Sequence, residues 1–442
     1  MISLPTKVMA GLVFACFAAL AQMGGYSGPQ ILSRSGGSGA NRGGSHEGFS
    51  LYIGVYGSYE TGVIPASVDA QGNIVSLSAL YGIGLRYGVY GSRSWRHTTL
   101  GLDYSGNVRY YLPRSYYHGT DQILGLQIDT QVSRRLSLYS RTSGGILSSY
   151  YAGGPAYSSG LLSTPGYSPF DDRVYFLESM AGANYKLTNR LSFSVDGTGF
   201  FVRYRNASLV GMNGWGANGM LAYRLDRTRT LTLEYARVHY DYPRGFGESD
   251  LDAYLLGFSQ SFSRRWQLAL SGGATHVGTI GIEKIATDPL TSALFGISAT
   301  VQAFQTQTWL GSGKAGVEGR FRHAFLSIFV SQMPNGGNGV YLTSKSTAAN
   351  ATFTYTGIRR LSLYGNARYD HMSSIGQQSI GSYSYFTGGG GASYQIKQYL
   401  DANLDIAGRN LQIVQTGGFA RLYYRIVVGF NFHSGMMPVT FW

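Results

Sequence analysis

Cysteine is almost absent from this 442-residue chain, which contains one, Cys16. Cys16 lies in the apolar stretch Val8–Leu20, which follows Lys7 and ends in the small-x-small pattern Ala19-Leu20-Ala21. A basic start, a short apolar stretch and such an end predict a secretory signal peptide, residues 1–21, cleaved after Ala21. The mature chain would then have no cysteine, which excludes disulfides and cysteine-bearing metal sites.

Two alternatives to cleavage after Ala21 fit the same segment less well. An anchor helix that stays attached needs a longer apolar stretch than this one. A lipoprotein would carry its lipid on Cys16, but the bulky Phe14 and Phe17 beside it match that motif poorly. We therefore expect a secreted chain that begins at Gln22. Residues 22–47 are rich in Gly and Ser and predict a flexible segment.

Charge and long apolar runs are also scarce. Only 13% of the residues are charged, and no apolar run after the N-terminus is long enough for a membrane helix. Glycine (63) and tyrosine (35) are abundant instead. A soluble chain of this length would hold two or three domains. This composition indicates one repetitive architecture.

The clearest repeat unit is Arg359–Asp370, RRLSLYGNARYD. Leu361, Leu363 and the alternate residues after them are apolar or small, whereas the residues between them are polar or charged. A period of two predicts a β-strand, because successive side chains point to opposite faces. A strand with one apolar face and one charged face fits lipid on one side and an aqueous lumen on the other.

Short basic turns precede strands of this kind throughout the chain. The turns are Ser92–Arg96, Ser133–Arg135, Thr188–Arg190, Asp226–Arg229, Ser263–Arg265, Arg320–His323, Gly357–Arg360 and Ile396–Gln398. Eight turns and two chain ends predict nine hairpins and eighteen strands, beginning with Phe49–Tyr59 and about Leu77–Tyr90. The expected fold is all-β, a single transmembrane antiparallel up-and-down barrel that spans residues 48–432.

The predicted connections at the opposite rim are longer than the turns. They are Glu60–Ile74, Ser148–Asp171, Asp241–Glu248, Gly278–Thr306 and Met333–Asn338. Short periplasmic turns and long extracellular loops are typical of outer-membrane barrels. A soluble β-sandwich would not explain the difference between the rims. The sequence therefore predicts an integral protein of a Gram-negative outer membrane.

One of these loops has a helical pattern over residues 289–303. Asp288 is a candidate N-cap, Pro289 suits the first helical position, and Leu290, Leu294 and Val301 share one stripe. The helix would lie either in the lumen, narrowing it, or on the extracellular rim.

The last predicted strand, Arg421–Phe432, has an unbroken apolar face that ends in an aromatic residue. That pattern resembles the C-terminal signal that the barrel-assembly machinery reads in bacterial outer-membrane proteins. A tail, residues 433–442, continues beyond it and ends in Phe441-Trp442, so either aromatic end could carry the signal.

The polar parity of the strands predicts which side chains line the lumen. Basic and acidic candidates are nearly equal in number, which favours pairing across the wall over strong anion selection. These candidates are Arg86, Asp103, Arg109, Asp129, Arg141, Asp196, Glu234, Lys314, Glu318, Arg320, Tyr364, Arg368, Asp370, Asp401, Asp405, Arg409, Arg421 and Arg425.

Other kinds of site receive no support from the sequence. The eight histidines are scattered without metal-ligand spacing, and Gly388–Gly391 lacks the context of a nucleotide loop. We expect no cofactor, no metal and no catalytic site. The basic turns account for the net charge of +13 without a surface that binds nucleic acid. No nucleic-acid partner is therefore expected.

Three stretches carry a narrower resemblance: Phe262–His276, Gly339–Gly365 and Met437–Trp442. They are similar to outer-membrane barrels of the β-barrel porin type, some of which are associated with exopolysaccharide export. The strand count and the polar parity favour a passive channel for hydrophilic solutes, and the resemblance adds an exported polysaccharide as a candidate solute. The expected partners are lipid, lipopolysaccharide and polysaccharide-export components. The alternative is a structural or assembly barrel with a blocked lumen and partner-binding loops.

Overall fold

The fold is a closed barrel of eighteen antiparallel strands in which sequence neighbours pair. The structure is a computed structural model that describes residues 48–61, 67–68, 74–75, 79–112, 118–148, 158–159, 162–163, 173–205, 209–286, 299–336, 341–376, 382–413 and 419–434. β1 closes the barrel, because Val55 lies opposite Leu85 of the second strand and opposite Phe430 of the last. The predicted eighteen-strand up-and-down barrel is confirmed.

The strands are long, and most begin or end beside a basic turn. They are β1 Gly48–Thr61, β2 Leu80–Ser94, β3 Thr98–Leu112, β4 Gly119–Gln131, β5 Leu136–Leu147, β6 Val174–Lys186, β7 Leu191–Tyr204, β8 Met212–Arg224, β9 Arg229–Tyr242, β10 Gly247–Ser261, β11 Trp266–Ala286, β12 Ala299–Arg320, β13 Ala324–Gly336, β14 Thr343–Ile358, β15 Leu361–Ser374, β16 Tyr383–Lys397, β17 Leu400–Ile413 and β18 Phe419–His433. Two short hairpins, Ser67–Val68 with Ile74–Val75 and Ser158–Ser159 with Leu162–Ser163, lie outside the barrel sheet.

The alternation in the sequence separates the two faces of the wall. In β18, Val428 is 53% exposed and points outward, whereas its neighbour Val427 is 3% exposed and points inward. Outward positions along β1 and β18 are apolar side chains such as Ile53 and Phe430. An apolar exterior on a sheet that closes on itself is the arrangement expected of a wall in contact with lipid.

The basic turns are held by a recurrent side-chain device. In three of them a hydroxyl accepts hydrogen bonds from the backbone amides two and three residues later. Ser133 Oγ accepts from Arg135 at 3.2 Å and from Leu136 at 3.0 Å. Thr188 and Ser263 form the same pair of bonds. The serine or threonine thus fixes the turn, and the arginines that follow it project into solvent.

Asp226 performs the same role with a carboxylate. Its Oδ1 accepts from the backbone and side chain of Thr228 at 2.7 and 2.8 Å, and from the Arg229 amide at 2.8 Å. The hydrogen bonds from Thr228 are the main cause of a lowered pKa for this carboxyl group. The side chain is therefore ionised, and holds the turn, at neutral pH.

Replacing Ser263 by Ala is expected to lower the free energy of unfolding by about 0.5–1.5 kcal/mol, the net value of a hydrogen bond in a folded protein. The two amides would turn to water, so the loss stays small. Urea unfolding of the lipid-embedded barrel measures it. Ser263→Thr keeps the acceptor and serves as the control; a loss of equal size in both variants would contradict the role of the hydroxyl.

Two of the predicted loops are largely strand, and a third, Met333–Asn338, begins inside β13, which runs to Gly336. Most of Gly278–Thr306 is strand, because β11 runs to Ala286 and β12 begins at Ala299. Asp241–Glu248 is reduced to residues 243–246, since β9 and β10 extend into it. In both cases the backbone ladder with the neighbouring strand continues beyond the point where apolar alternation stops, because backbone pairing does not require an apolar face.

The predicted helix over residues 289–303 is wrong at its end, since residues 299–303 are extended and pair with β11. Residues 289–298 lie outside the described residues, as do the predicted signal peptide, segment 22–47 and residues 435–442 of the tail. His433, the first residue of the predicted tail, belongs to β18. Among the described residues, we find no helix with the length and apolar character needed to span a membrane.

Candidate functional site

The barrel interior holds a polar cluster centred on Glu60, at the end of β1. Glu60 is 2% exposed. Tyr111 of β3 donates to its Oε1 at 2.8 Å, and Tyr423 of β18 donates to its Oε2 at 2.5 Å. Arg425 Nε lies 3.4 Å from Oε1 and supplies the opposite charge. A buried carboxylate of this kind is stable only because these groups replace its water.

A second group of contacts lies beside Glu60 on β1–β4. Arg109 forms a bidentate pair with Asp121, at 2.9 and 3.3 Å. Asn107 donates to Asp121 at 3.3 Å and accepts from Tyr56 at 2.6 Å. The bonds run from strand to strand, so the side chains tie the wall together across its inner face.

The Arg86 guanidinium joins this group to β17. It lies 4.4 Å from the centroid of the Tyr56 ring and 4.0 Å from Asp405 Oδ2. The side chains of Arg86 and Asp405 keep 25% and 29% of their area exposed, in contrast to the buried Glu60. Within the cluster, they are the ion pair most accessible from the lumen. Arg86, Arg109 and Arg425 against Glu60, Asp121 and Asp405 make the cluster charge-balanced; we call these six residues the polar cluster.

Every predicted lumen residue occupies the inward parity of its strand, and several of them form pairs. Arg368 binds Asp370 through two contacts, of which Nη2 to Oδ1 measures 2.8 Å, and Arg320 binds Glu318 at 3.0 Å. Asp401 lies 3.4 Å from His433. Pairing within the wall is thus the main role that the structure gives to these charges. A role in solute passage stays a prediction.

The remaining candidates lie apart from the polar cluster. Asp196 accepts from Tyr139 at 3.3 Å and from Asn218 at 3.4 Å, and Arg141 lies 5.7 Å from the Tyr139 ring. Asp129 accepts from Gln127. The others at inward positions are Asp103, Glu234, Lys314, Tyr364 and Arg409, with Arg421 at an inward register position of β18.

The opposite side of the interior is apolar, which the sequence reading missed. Inward residues of β6–β11, away from the turns, form one buried cluster: Val174, Phe176, Phe200, Val202, Tyr204, Ala236, Val238, Tyr240, Tyr242, Leu251, Ala253, Leu255 and Val277. The available signal was a loss of alternation, as in Phe200-Phe201-Val202, where both parities are apolar. We call this surface the apolar wall.

The ends of β13 and β14 cover the apolar wall from inside the barrel. Met333–Gly336, at the end of β13, and Tyr341–Ser344, which lead into β14, are buried at consecutive positions. A strand in a barrel wall buries alternate residues, so burial at every position indicates protein on both faces. We call these two segments, Met333–Gly336 and Tyr341–Ser344, the inner tip.

Contacts across the lumen fix the position of the inner tip. Thr343 of β14 hydrogen-bonds with Ser249 of β10, and with Thr279 of β11 at 3.1 Å. The Cα of Gly336 lies against Tyr240 and Met212, because a Cβ there would come within 2.6 Å of the tyrosine ring. The tip therefore reaches strands three to five places along the sheet, which narrows the barrel at the rim opposite the turns.

An interruption of the wall accompanies the inner tip. β12 pairs with β11 from Ala299 to Gly319, but with β13 only from Gly313 to Arg320. Beyond Gly313 the two strands diverge, and the Gln332 side chain donates to the Gly311 carbonyl at 3.0 Å. This seam lets the end of β13 separate from β12 and lie in the interior, while β14 stays paired with β15 as far as Ser344.

Comparisons with known proteins add a limited result. No protein-family model matches the chain, and no curated protein matches it. Its similar solved structures are porins. Pseudomonas aeruginosa OpdQ is 9% identical with a TM-score of 0.39, over 88% of this chain and 98% of that chain. A BenF-like porin from Pseudomonas fluorescens Pf-5 is 10% identical with a TM-score of 0.40, over 88% and 100%.

A third similar structure is Pseudomonas aeruginosa OccK2 (OpdF) in complex with glucuronate, 11% identical, with a TM-score of 0.40 over 88% of this chain and 98% of that chain. Scores below 0.5 carry no argument about a site. The strand order establishes by itself the eighteen-strand barrel that the count of basic turns predicted.

Two members of the polar cluster, Glu60 and Asp121, were missing from the sequence-based candidates. The sequence-based prediction assigned Glu60 to the start of the loop Glu60–Ile74. It nevertheless follows Tyr56 and Ser58 at a spacing of two, which places it on the same inward face. Metal chemistry receives no support from the described ranges, which contain no group of three or more suitable His, Asp or Glu ligands.

Proposed function

We propose that this chain is an outer-membrane channel for small hydrophilic solutes, and not an enzyme. The observation that carries the proposal is a closed barrel with an apolar exterior and a charge-balanced polar cluster on its inner wall. Eighteen strands enclose enough space for an aqueous passage where nothing fills it. The exposed Arg86–Asp405 pair is the part of the cluster that a passing solute would meet.

The proposed orientation places the basic turns in the periplasm and the inner tip towards the cell exterior. The shortness of the basic turns supports this choice, because outer-membrane barrels have short turns on the periplasmic side. In this orientation the apolar exterior contacts phospholipid and lipopolysaccharide, and the aromatic end of β18 meets the barrel-assembly machinery during biogenesis.

Small solutes fit the interior better than an exported polymer does. The inner tip lies inside the barrel, and Thr343 is hydrogen-bonded to β11, three strands away along the sheet. A polysaccharide chain would need that tip displaced for as long as it was threaded. Exopolysaccharide export and partnership with export components remain a narrower hypothesis, which predicts loss of extracellular glycan on gene disruption with unchanged uptake of small solutes.

A second candidate function is a structural or assembly barrel with a blocked lumen. The buried inner tip packed on the apolar wall favours it. The two functions differ in one measurable property, the passage of ions.

Purified protein in planar bilayers is expected to give single-channel steps with weak ion selectivity. The reason is the equal number of positive and negative groups in the polar cluster, since a strong selector needs one sign of charge. Conductance and the reversal potential in a salt gradient measure both properties. Folded protein that never conducts would favour the structural barrel, and heat-unfolded protein controls for leak.

A further inference from the structure

The positive charge of the chain is concentrated at one rim. Residues 93–97, 132–136, 186–191, 224–229, 262–266, 320–324, 358–361 and 396–400 contain sixteen Lys or Arg and one Asp. That is a net +15, so with +13 for the whole chain the remaining residues carry a net −2. The up-and-down topology brings all eight segments to the same end of the barrel. We call them together the basic rim.

Most of the charge of the basic rim is available to a partner. Arg134, Arg264 and Arg359 lie at turn positions and are exposed. Their turns are ordered by other residues, as Ser133 and Ser263 show, so the guanidinium groups are not needed for the turn itself. The one acidic residue, Asp226, uses its carboxylate on backbone amides and lies 3.9 Å from Arg229.

Exposed aromatic side chains accompany the arginines. Phe262 is 61% exposed, and Trp95, Trp266 and Tyr399 are 49%, 37% and 46% exposed. The Arg93 guanidinium lies 5.5 Å from the Trp95 ring centroid. Aromatic residues on a membrane protein gather at the boundary between hydrocarbon and headgroups. Arginines next to that belt therefore lie at the depth of lipid phosphates.

We propose that the basic rim is a binding surface for anionic phospholipid headgroups. Each exposed guanidinium would donate to phosphate oxygens of an adjoining lipid, while the aromatic ring beside it packs on the upper acyl chain. A ring of such contacts gives the barrel a preference for anionic over zwitterionic lipid at this rim alone. The proposal rests on the membrane placement in the proposed function, but not on conduction.

The test uses quenching of tryptophan fluorescence by brominated lipid. Trp215, Trp309 and Trp442 are replaced by Phe, which leaves Trp95 and Trp266, both within the basic rim, as reporters. The barrel is refolded in phosphatidylcholine vesicles that contain brominated phosphatidylcholine or brominated phosphatidylglycerol. We expect the phosphatidylglycerol to be preferred at the reporters by on the order of fivefold, falling as salt is added.

Two matched triple variants test whether the arginines of the basic rim cause the preference for anionic lipid. Arg134→Gln, Arg264→Gln and Arg359→Gln together are expected to remove most of the preference. Arg203→Gln, Arg205→Gln and Arg244→Gln, from the other rim, are expected to retain it. Equal quenching by the two lipids in the unmodified arginine background would overturn the proposal, and so would a preference that survives the first triple variant.

Two further outcomes separate this proposal from others. Absence of a lipid preference, together with binding of soluble polyphosphate through the same three arginines, would replace lipid by a soluble polyanion. Absence of quenching by either brominated lipid would instead refute the membrane placement on which the proposed function depends. Normal quenching without any preference refutes the lipid proposal alone.

Discussion

Removing the inner tip is expected to raise single-channel conductance several-fold. The variant replaces residues 334–345 by Asn-Gly, which joins Met333 to Ser346. Those two residues are directly opposite in the β13–β14 ladder, so a two-residue hairpin turn fits between them. The variant removes the side chains that cross the lumen, including Tyr341 and Thr343, and leaves the strands below in register.

The rise follows from the position of the tip within the passage. Gly336 contacts Tyr240 and Met212, and Thr343 contacts Ser249 and Thr279, so the tip spans the part of the interior between its own strands and β8–β11. An Asn-Gly replacement of residues 243–246, the connection between β9 and β10, is the matched control. It touches the tip at Gly245, which lies against Leu342, but leaves the tip in place, so conductance should change far less. Unchanged conductance in the tip variant would show that the passage does not run beside the inner tip.

A disulfide that fixes the inner tip in place gives an independent test of its effect on conductance. Ser249→Cys with Thr343→Cys places two sulfurs where two hydrogen-bonded hydroxyls now lie. The oxidised pair would hold the tip against the wall, and reduction would release it. Conductance that rises reversibly on reduction is the expected result, with each single cysteine variant as control.

Replacing Glu60 by Ala is expected to lower the free energy of unfolding by about 3–5 kcal/mol, the cost of removing one partner from a buried ion pair. Arg425 would keep its charge in a buried position without Glu60 Oε1, now 3.4 Å away, and the hydroxyls of Tyr111 and Tyr423 would lose their acceptor. Urea unfolding in lipid vesicles, followed by tryptophan fluorescence, measures the change.

Glu60→Gln is the matched control for the charge. It retains an acceptor for one tyrosine hydroxyl and the volume of the side chain, so the expected loss is smaller than that of Glu60→Ala. Asp405→Asn tests the exposed pair with Arg86, and a surface ion pair of this kind contributes little, about 0–1 kcal/mol. Equal losses of unfolding free energy for Glu60→Ala and Asp405→Asn would contradict the central position of Glu60 in the polar cluster.

The barrel was predictable from the sequence because its signal is local and repeated. A strand such as Leu361–Ser374 needs only a period of two, and a turn such as Ser263–Arg265 needs only a hydroxyl followed by arginines. The apolar exterior imposes the same alternation on each strand, so weak signals from eighteen strands agree with one another.

The interior was less predictable because its contacts join residues far apart in sequence. Tyr423 and Glu60 are hydrogen-bonded across the closure of the barrel, and no pattern near either residue encodes that pairing. The inner tip is a similar case. Thr343 reaches Ser249 only because β13 leaves β12 at Gly313, which depends on the packing of the whole mouth. The helix predicted over residues 289–303 is wrong for residues 299–303 for a similar reason, because those residues pair with β11.

The seam between β12 and β13 has a mechanical consequence. From Gly313 to the basic turns, backbone hydrogen bonds run continuously around the barrel. Its circumference there can change only if many of these bonds stretch together. At the opposite end, from Ala299 to Ser312 of β12, the ladder between β12 and β13 is missing. The circumference of that end can therefore change by movement at this one place. The half of the barrel nearer the basic turns therefore keeps a fixed diameter, while the diameter of the other half can change.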